Sequence, residues 1–178
     1  MSDFVHYFAY GSNMSSARLA ARLSTSRSVG TGALTAHRLA FHLLSHSDGS
    51  AKCDAFYTGR AEDVVHGVLF RFAEYELPVL DRYESRNVAY ERVEVDIQRP
   101  GGGHVRAYTY RALSVDPGPL PFDWYKEHVV RGAREHGLPA EYVAVLEAVP
   151  TDTDPDSKRR ARELAIYALD ESIMARPS

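Results

Sequence analysis

The feature that most restricts the fold is a change of pattern close to the N-terminus. Phe4, Val5, His6, Tyr7, Phe8, Ala9 and Tyr10 favour a strand or are small and apolar. They stop at Gly11-Ser12-Asn13, and a helical pattern begins directly behind. Apolar side chains on both parities predict a central strand covered on two faces. The helix is predicted over about Ser15 to Leu23, with Ala17, Leu19, Ala20 and Leu23 turned inward. A strand that passes into a helix through glycine leaves successive backbone N–H groups without ladder partners. Such groups can converge on an anion or a carboxylate placed over the helix start. The same corner can equally be a plain turn, with Gly11 giving the bend and Ser12 or Asn13 the N-cap.

Strands continue for the next hundred residues. The Ser/Thr/Gly-rich stretch Ser24 to Thr31 ends the first helix, and Ala33 to Leu44 is expected to be extended. Ser45 to Lys52, with Asp48-Gly49, is expected to be a loop, Cys53 to Tyr57 a short strand and Val64 to Phe72 a strong one. Glu76 to Leu80 enters a short helix, because Pro78 in its first turn lacks only a donor that the helix never uses. Tyr90 to Ile97 alternates again, Gly101-Gly102-Gly103 is a hairpin corner, and His104 to Arg111 is the return strand.

Past Asp116 the pattern changes. Pro117, Pro119 and Pro121 stiffen a connector, and helices are predicted from Phe122 to the end of the chain. The first places Phe122, Tyr125, Val129, Ala133 and His136 on one face and closes at Gly137, and the second runs from Pro139 to about Val149. The third follows Asp154-Pro155 with Ala161, Leu164, Ala165 and Ala168 inward, and its Lys158-Arg159-Arg160 reads as a solvated face. The expected fold class is α+β, a mostly antiparallel curled sheet or small β-barrel with flanking helices. One domain over residues 1–178 is expected, with a barrel core in 1–116 and a helical extension in 117–178 packed on it.

Composition narrows the function classes. The formal charge of −3 carries no basic surplus, and no nucleic-acid-binding signature is present, so nucleic acid is not expected as a partner. No run of 18 apolar residues exists, and the N-terminus lacks a basic region followed by an apolar one, so no membrane is expected and a cytoplasmic location is. The single cysteine, Cys53, excludes an intrachain disulfide and a CxxC pair, and reads as a small apolar residue. His42 and His46 lie four apart in an extended segment, about 13 Å, too far for one metal ion. No nucleotide-binding, zinc-protease or nucleophile-elbow motif occurs.

Glu84 is the candidate for acid–base chemistry. It falls where the Pro78 helix must end, so the negative end of the helix dipole faces it, and Tyr83 and Tyr90 are aromatic neighbours. Both influences raise a carboxyl pKa toward neutrality, as a general acid/base requires. The alternative is a surface glutamate paired with an arginine of Asp81-Arg82-Tyr83-Glu84-Ser85-Arg86.

Taken together, these segments resemble the γ-glutamylcyclotransferase family. The likeness is carried by Tyr10-Gly11-Ser12-Asn13 within YFAYGSNM, by Leu80-Asp81-Arg82-Tyr83-Glu84 followed by Tyr90, and by Val65-His66-Gly67-Val68. It extends through Trp124-Tyr125-Lys126, Gly132-Ala133, Gly137-Leu138-Pro139 and Glu141-Tyr142, so it spans most of the chain in order. The resemblance implies a closed or nearly closed barrel with its pocket between the YGSN loop and the glutamate. Gly11, Ser12 and Asn13 would hold the α-carboxylate and amino end of a γ-glutamyl group through backbone and side chains. Glu84 would be the acid/base, and Tyr10, Tyr90 and Tyr125 would line the site.

The implied reaction is attack of the substrate's α-amine on its own γ-carbonyl, giving 5-oxoproline and a free amine or amino acid. It implies a small-molecule γ-glutamyl substrate, needs no cofactor or metal, and leaves a homodimer open. An alternative within the family removes a γ-glutamyl protecting group from a larger biosynthetic amine; a different class would be a non-catalytic, ligand-binding relative. Glutathione is disfavoured on the build of the N-terminal loop. Ser85 stands where the family pattern has glycine, and the loop from Glu84 to Tyr90 is a residue shorter than in the animal-type enzymes. Substrate choice is expected to lie in Ser45 to Ala61 and in the connector Pro117 to Phe122.

Overall fold

The computed structural model describes residues 3–168. Its strands are β1 (Phe4–Ala9), β2 (Arg27–Thr35), β3 (His37–Leu44), β4 (Ala51–Tyr57), β5 (Val64–Ala73), β6 (Tyr90–Gln98) and β7 (His104–Ala112). Its helices are α1 (Ser16–Arg22), α2 (Leu77–Tyr83), α3 (Asp123–Glu135), α4 (Ala140–Glu147) and α5 (Ser157–Leu164), with short 3₁₀ turns at Ser12–Met14, Glu74–Glu76 and Ala165–Tyr167. Five strands close into a barrel in the order β1-β5-β2-β6-β7. Pairing is antiparallel throughout except at the seam, where β1 meets β7 in parallel at Tyr7 opposite Tyr108.

This closure accounts for the composition of β1. Hydrogen-bonded on both edges, it buries Tyr7, Phe8 and Ala9 together, and neither face is wet at that end. So small a barrel has no channel, because its interior is filled by side chains. Phe8, Val65, Leu69, Phe70, Phe72 and Ile97 are essentially inaccessible. Each large apolar side chain withdrawn in this way contributes about 1.5–3 kcal/mol.

Two expectations about the strands are corrected. Ser24 to Thr31 is not merely a helix terminator, since β2 starts at Arg27 and pairs along β5. Its first four residues are exposed, so they carry no apolar pattern, and a register shift between Ser28 and Gly30 breaks the period. Ala33 to Leu44 is not one extended segment: Ala36, at φ 59°, turns the chain between β2 and β3. The β3–β4 hairpin then stands outside the barrel as its own two-stranded sheet. It is fastened by Asp54, whose Oδ1 accepts from Ala112 N at 2.9 Å and whose Oδ2 lies 2.8 Å from His42 Nε2.

The helical region follows its periodicity until α5. Helix α3 buries Trp124, Tyr125, Val129 and Ala133, and the chain leaves it through Gly137 at φ 65°. Helix α5 buries none of its residues, and Ala161, Ala165 and Ala168 are exposed. Leu164 packs against the core as expected, and polar contacts hold the rest: Arg159 grips Asp154 through two bonds of 2.7 and 2.6 Å, and Glu163 reaches Arg18 at 2.7 Å. Arg159 is therefore no solvated residue, and Arg160 pairs with Asp123 at 2.9 Å. The expectation of helix to the end of the chain extends over residues 169–178, which lie outside the described residues. Among the described residues no helix is long and apolar enough to cross a membrane.

Candidate active site

Strand β1 delivers the chain into a single tight turn. Met14 N donates to Gly11 O at 3.0 Å and Ser15 N to Ser12 O at 3.3 Å, so the N–H groups of Ser12 and Asn13 precede the turn's first bond. The N-cap of α1 is Ser15, whose Oγ accepts from Arg18 N, in place of the expected Ser12 or Asn13. Helix α3 lies directly on this corner. A Cβ at Gly132 would fall within 3.0 Å of the Met14 carbonyl carbon and of Ser15 N, so only glycine permits the approach.

The carboxylate comes from the segment between β5 and β6. Glu84 caps the C-terminus of α2, its N–H donating to Leu80 O at 3.0 Å. Ser85 and Asn87, at φ 47° and 65°, then swing the chain back into β6. The Glu84 side chain is 16% exposed, and its Oε1 accepts from Asn13 Nδ2 at 2.8 Å. The same Nδ2 donates to Tyr7 Oη at 3.1 Å, and Asn13 Oδ1 accepts from Arg22 at 2.8 Å. Arg22 lies 3.5 Å from Glu84 Oε1 and 4.7 Å above the Tyr83 ring.

These contacts oppose one another at Glu84. Burial raises its pKa above the ordinary value, against the lowering effects of Arg22, the Asn13 hydrogen bond and Arg18, and burial wins. The raised affinity expected from the sequence is thus present, with a different chief cause. Tyr83 is itself 53% exposed.

Glu84 and the corner share one chamber of about 30 Å³. Tyr10, Gly11, Ser12, Asn13, Tyr90 and Tyr125 all line it with Glu84, so every residue picked from the sequence is brought together. Several of them also have hydrogen-bond partners within the protein. The Asn13 carboxamide is engaged by Glu84, Tyr7 and Arg22. Tyr10 donates its hydroxyl to Tyr110 O. Tyr90 donates to Cys53 O at 2.7 Å, and Tyr125 Oη accepts from Cys53 N at 3.0 Å. Burial pushes all three phenols up, so they remain neutral.

Tyr7, Tyr110 and Arg22, which were not singled out beforehand, complete the surroundings together with Cys53, read from the sequence as a small apolar residue. Burial pushes the Cys53 thiol up to about 12, which excludes a thiolate nucleophile at neutral pH. Arg22 follows Arg18 by four residues on α1, a spacing that puts both on one face, the sign that could have flagged it. Among the described residues no group of three or more His, Cys, Asp or Glu could hold a metal ion.

The chamber opens beside a wider groove of about 710 Å³ that shares Ser12, Glu84, Tyr90 and Tyr125 with it. His46, Asp48 and Lys52 of the β3–β4 loop region form one side, and Arg159 and Arg162 of α5 another. The loop thus borders the site as expected, whereas α5 was not anticipated there.

Residues 64–146 match the model of the AIG2-like family. A γ-glutamylcyclotransferase of Homo sapiens is 29% identical over 154 residues, which cover 82% of this chain and 79% of that protein. A solved structure titled gamma-glutamyl cyclotransferase superposes with a TM-score of 0.82 at 24% identity, covering 93% of this chain and 99% of that one, a likeness of fold. The crystal structure of an uncharacterized protein from Homo sapiens superposes with a TM-score of 0.81 at 25% identity, over 91% of this chain and 98% of that one. In sequence the chain is similar to γ-glutamylcyclotransferases, and in architecture it has the fold of the solved γ-glutamyl cyclotransferase.

Proposed function

We propose that this protein is a γ-glutamyl cyclotransferase, with Glu84 as the proton carrier and the Gly11-Ser12-Asn13 backbone as the donor set for the γ-glutamyl group. The observation that carries this reading is the position of a shielded carboxylate of raised proton affinity opposite the corner, inside one chamber. The chemistry needs little more. Two protons must leave the attacking α-nitrogen as it passes from ammonium to lactam N–H. Two must reach the departing nitrogen as it passes from amide to ammonium. One carboxylate can carry both in turn. The nucleophile is tethered to its target, so holding the bent conformer does most of the work, and effective molarities of well-oriented intramolecular reactions reach roughly 10⁵–10⁸ M. N–H donors of the corner would stabilise the oxyanion that forms when the amine adds to the carbonyl.

The groove supports a second reading, in which the leaving amine is larger than an amino acid. Its volume of about 710 Å³ begins where the leaving half would emerge, past Glu84 and Tyr125. Incubation with γ-glutamyl amino acids, γ-glutamyl derivatives of bulky amines and glutathione, following 5-oxoproline, separates the two readings by which class turns over. Glu84→Gln should abolish turnover and still bind the γ-glutamyl compound. Release of no 5-oxoproline from any member of the panel would overturn the proposal in favour of a binding module.

A further inference from the structure

Arg18 and Arg22 stand one turn apart on α1, and both line the groove. Their side chains are only 12% and 15% exposed. Two guanidinium groups at this spacing repel each other. Each has its own counter-charge: Arg22 faces Glu84 Oε1 at 3.5 Å, and Arg18 binds Glu163 Oε2 at 2.7 Å. The charges therefore run negative, positive, positive, negative from Glu84 to a helix near the far end of the described chain.

Arg18 is fixed from a second direction. Its NH1 lies 3.0 Å from His128 Nε2, and a guanidinium has only donors, so Nε2 accepts and the ring hydrogen is on Nδ1. That Nδ1–H donates to Tyr167 Oη at 2.6 Å, and Tyr167 donates to Ser15 Oγ at 3.0 Å. Burial lowers the pKa of His128 to about 4, so the imidazole stays neutral while Arg18 is held. None of these groups lines the chamber that holds Glu84.

We propose that Arg18 and Glu163 are positioning residues for the Glu84 carboxylate: Glu163 offsets the charge of Arg18 and so sets how strongly the arginines of α1 favour the Glu84 anion. The proposal rests on the reading of Glu84 as the proton carrier. The other groups that line the chamber with Glu84 supply no variable charge, and His46 lines only the wider groove. Asn13 is neutral, and burial keeps the hydroxyls of Tyr7, Tyr90 and Tyr125 and the Cys53 thiol protonated. Tyr110 is bound to Asp81, which has Arg86 and Arg92 as partners, and Lys52 at the groove is paired with Asp48.

The test sets two substitutions of opposite sign against each other. Arg18→Gln removes a positive charge and should move the acidic limb of kcat/KM to higher pH, and Glu163→Gln should move it to lower pH, each by about 0.5 unit. The double variant should return close to the parent protein. Arg18→Lys keeps the charge and should leave the limb in place, which separates electrostatics from packing. Carbon NMR of the Glu84 side-chain carboxyl, assigned against Glu84→Gln, follows the same titration without turnover. Single variants that shift in the same direction, or leave the Glu84 titration where it was, overturn the proposal. A carboxyl that moves as stated while the rate profile does not follow would overturn the acid/base reading of Glu84 instead.

Discussion

Asn13 donates to Glu84 across 2.8 Å, joining the first turn of the chain to a carboxylate 71 positions later. The carboxamide also accepts from Arg22, so one side chain holds both the acid and its counter-charge. Asn13→Ala should therefore raise the Glu84 pKa further and release Arg22, reducing kcat/KM by ~10- to 100-fold. Asn13→Asp should raise it more, because a second carboxylate would stand where a donor now points. A pH–rate profile checks both. An acidic limb unmoved in either variant would show that this bond does not govern the acid.

Glu84 also gives the protein an opposed dependence of stability on pH. Its native pKa is raised above the ordinary 4.5, so the folded state prefers the neutral acid. The stabilisation this brings is complete below the unfolded pKa and is lost as pH rises through the native one. Glu84→Gln keeps a neutral side chain that can still accept from Asn13 at every pH. Thermal melts should show the variant above the parent near pH 8, with the gap closing near pH 4. A parent protein that is the more stable at high pH would mean that Arg22 outweighs burial.

Much of this was legible in the sequence, and the parts that were not share a cause. The strand into Gly11, the Pro78 helix ending at Glu84 and the β6–β7 hairpin announce themselves through local period and turn residues. Strand β2 was hidden because its first half faces solvent and a bulge breaks its alternation. Arg22 shares a helix face with Arg18, but its partner, a carboxylate 62 residues further on, is set only by the fold. Cys53 holds Tyr125 and Tyr90 through its backbone N–H and C=O, which no side-chain pattern encodes. Helix α5 is polar because ion pairs, rather than an apolar stripe, attach it.

Ser85 explains why a glycine is the residue expected after the acid. Its φ of 47° lies in the left-handed region, where a side chain costs roughly 1–2 kcal/mol against glycine. Ser85 is exposed, and its N–H and C=O bonds to Arg82, Val88 and Ala89 are main-chain bonds that glycine would keep. The greater freedom of glycine in the unfolded chain offsets about 0.4–1 kcal/mol of the relief. Ser85→Gly should thus stabilise by up to about 1 kcal/mol, seen as a rise in the urea midpoint, with Glu84 left in place and kcat unchanged. A destabilised Ser85→Gly would show that the serine side chain makes up for its strained backbone.

The contact of α3 with the corner can be tested at a single hydrogen-for-methyl exchange. Alanine at position 132 would gain up to about 1 kcal/mol in helix propensity. Its methyl, however, would meet the main chain of Met14 and Ser15, which cannot rotate away as a flexible side chain can. Overpacking of this kind costs about 1–3 kcal/mol, so the clash should outweigh the propensity and Gly132→Ala should lose stability. The retreat of α3 would also carry off Tyr125, whose hydroxyl accepts from Cys53 N at 3.0 Å across the chamber. Activity should then fall together with stability. Cys53, buried and the chain's single cysteine, offers a direct readout, because a thiol reagent that leaves the parent untouched should label the variant. A variant that melts like the parent and keeps its thiol protected would show that α3 is not what holds the Gly-Ser-Asn corner against the acid.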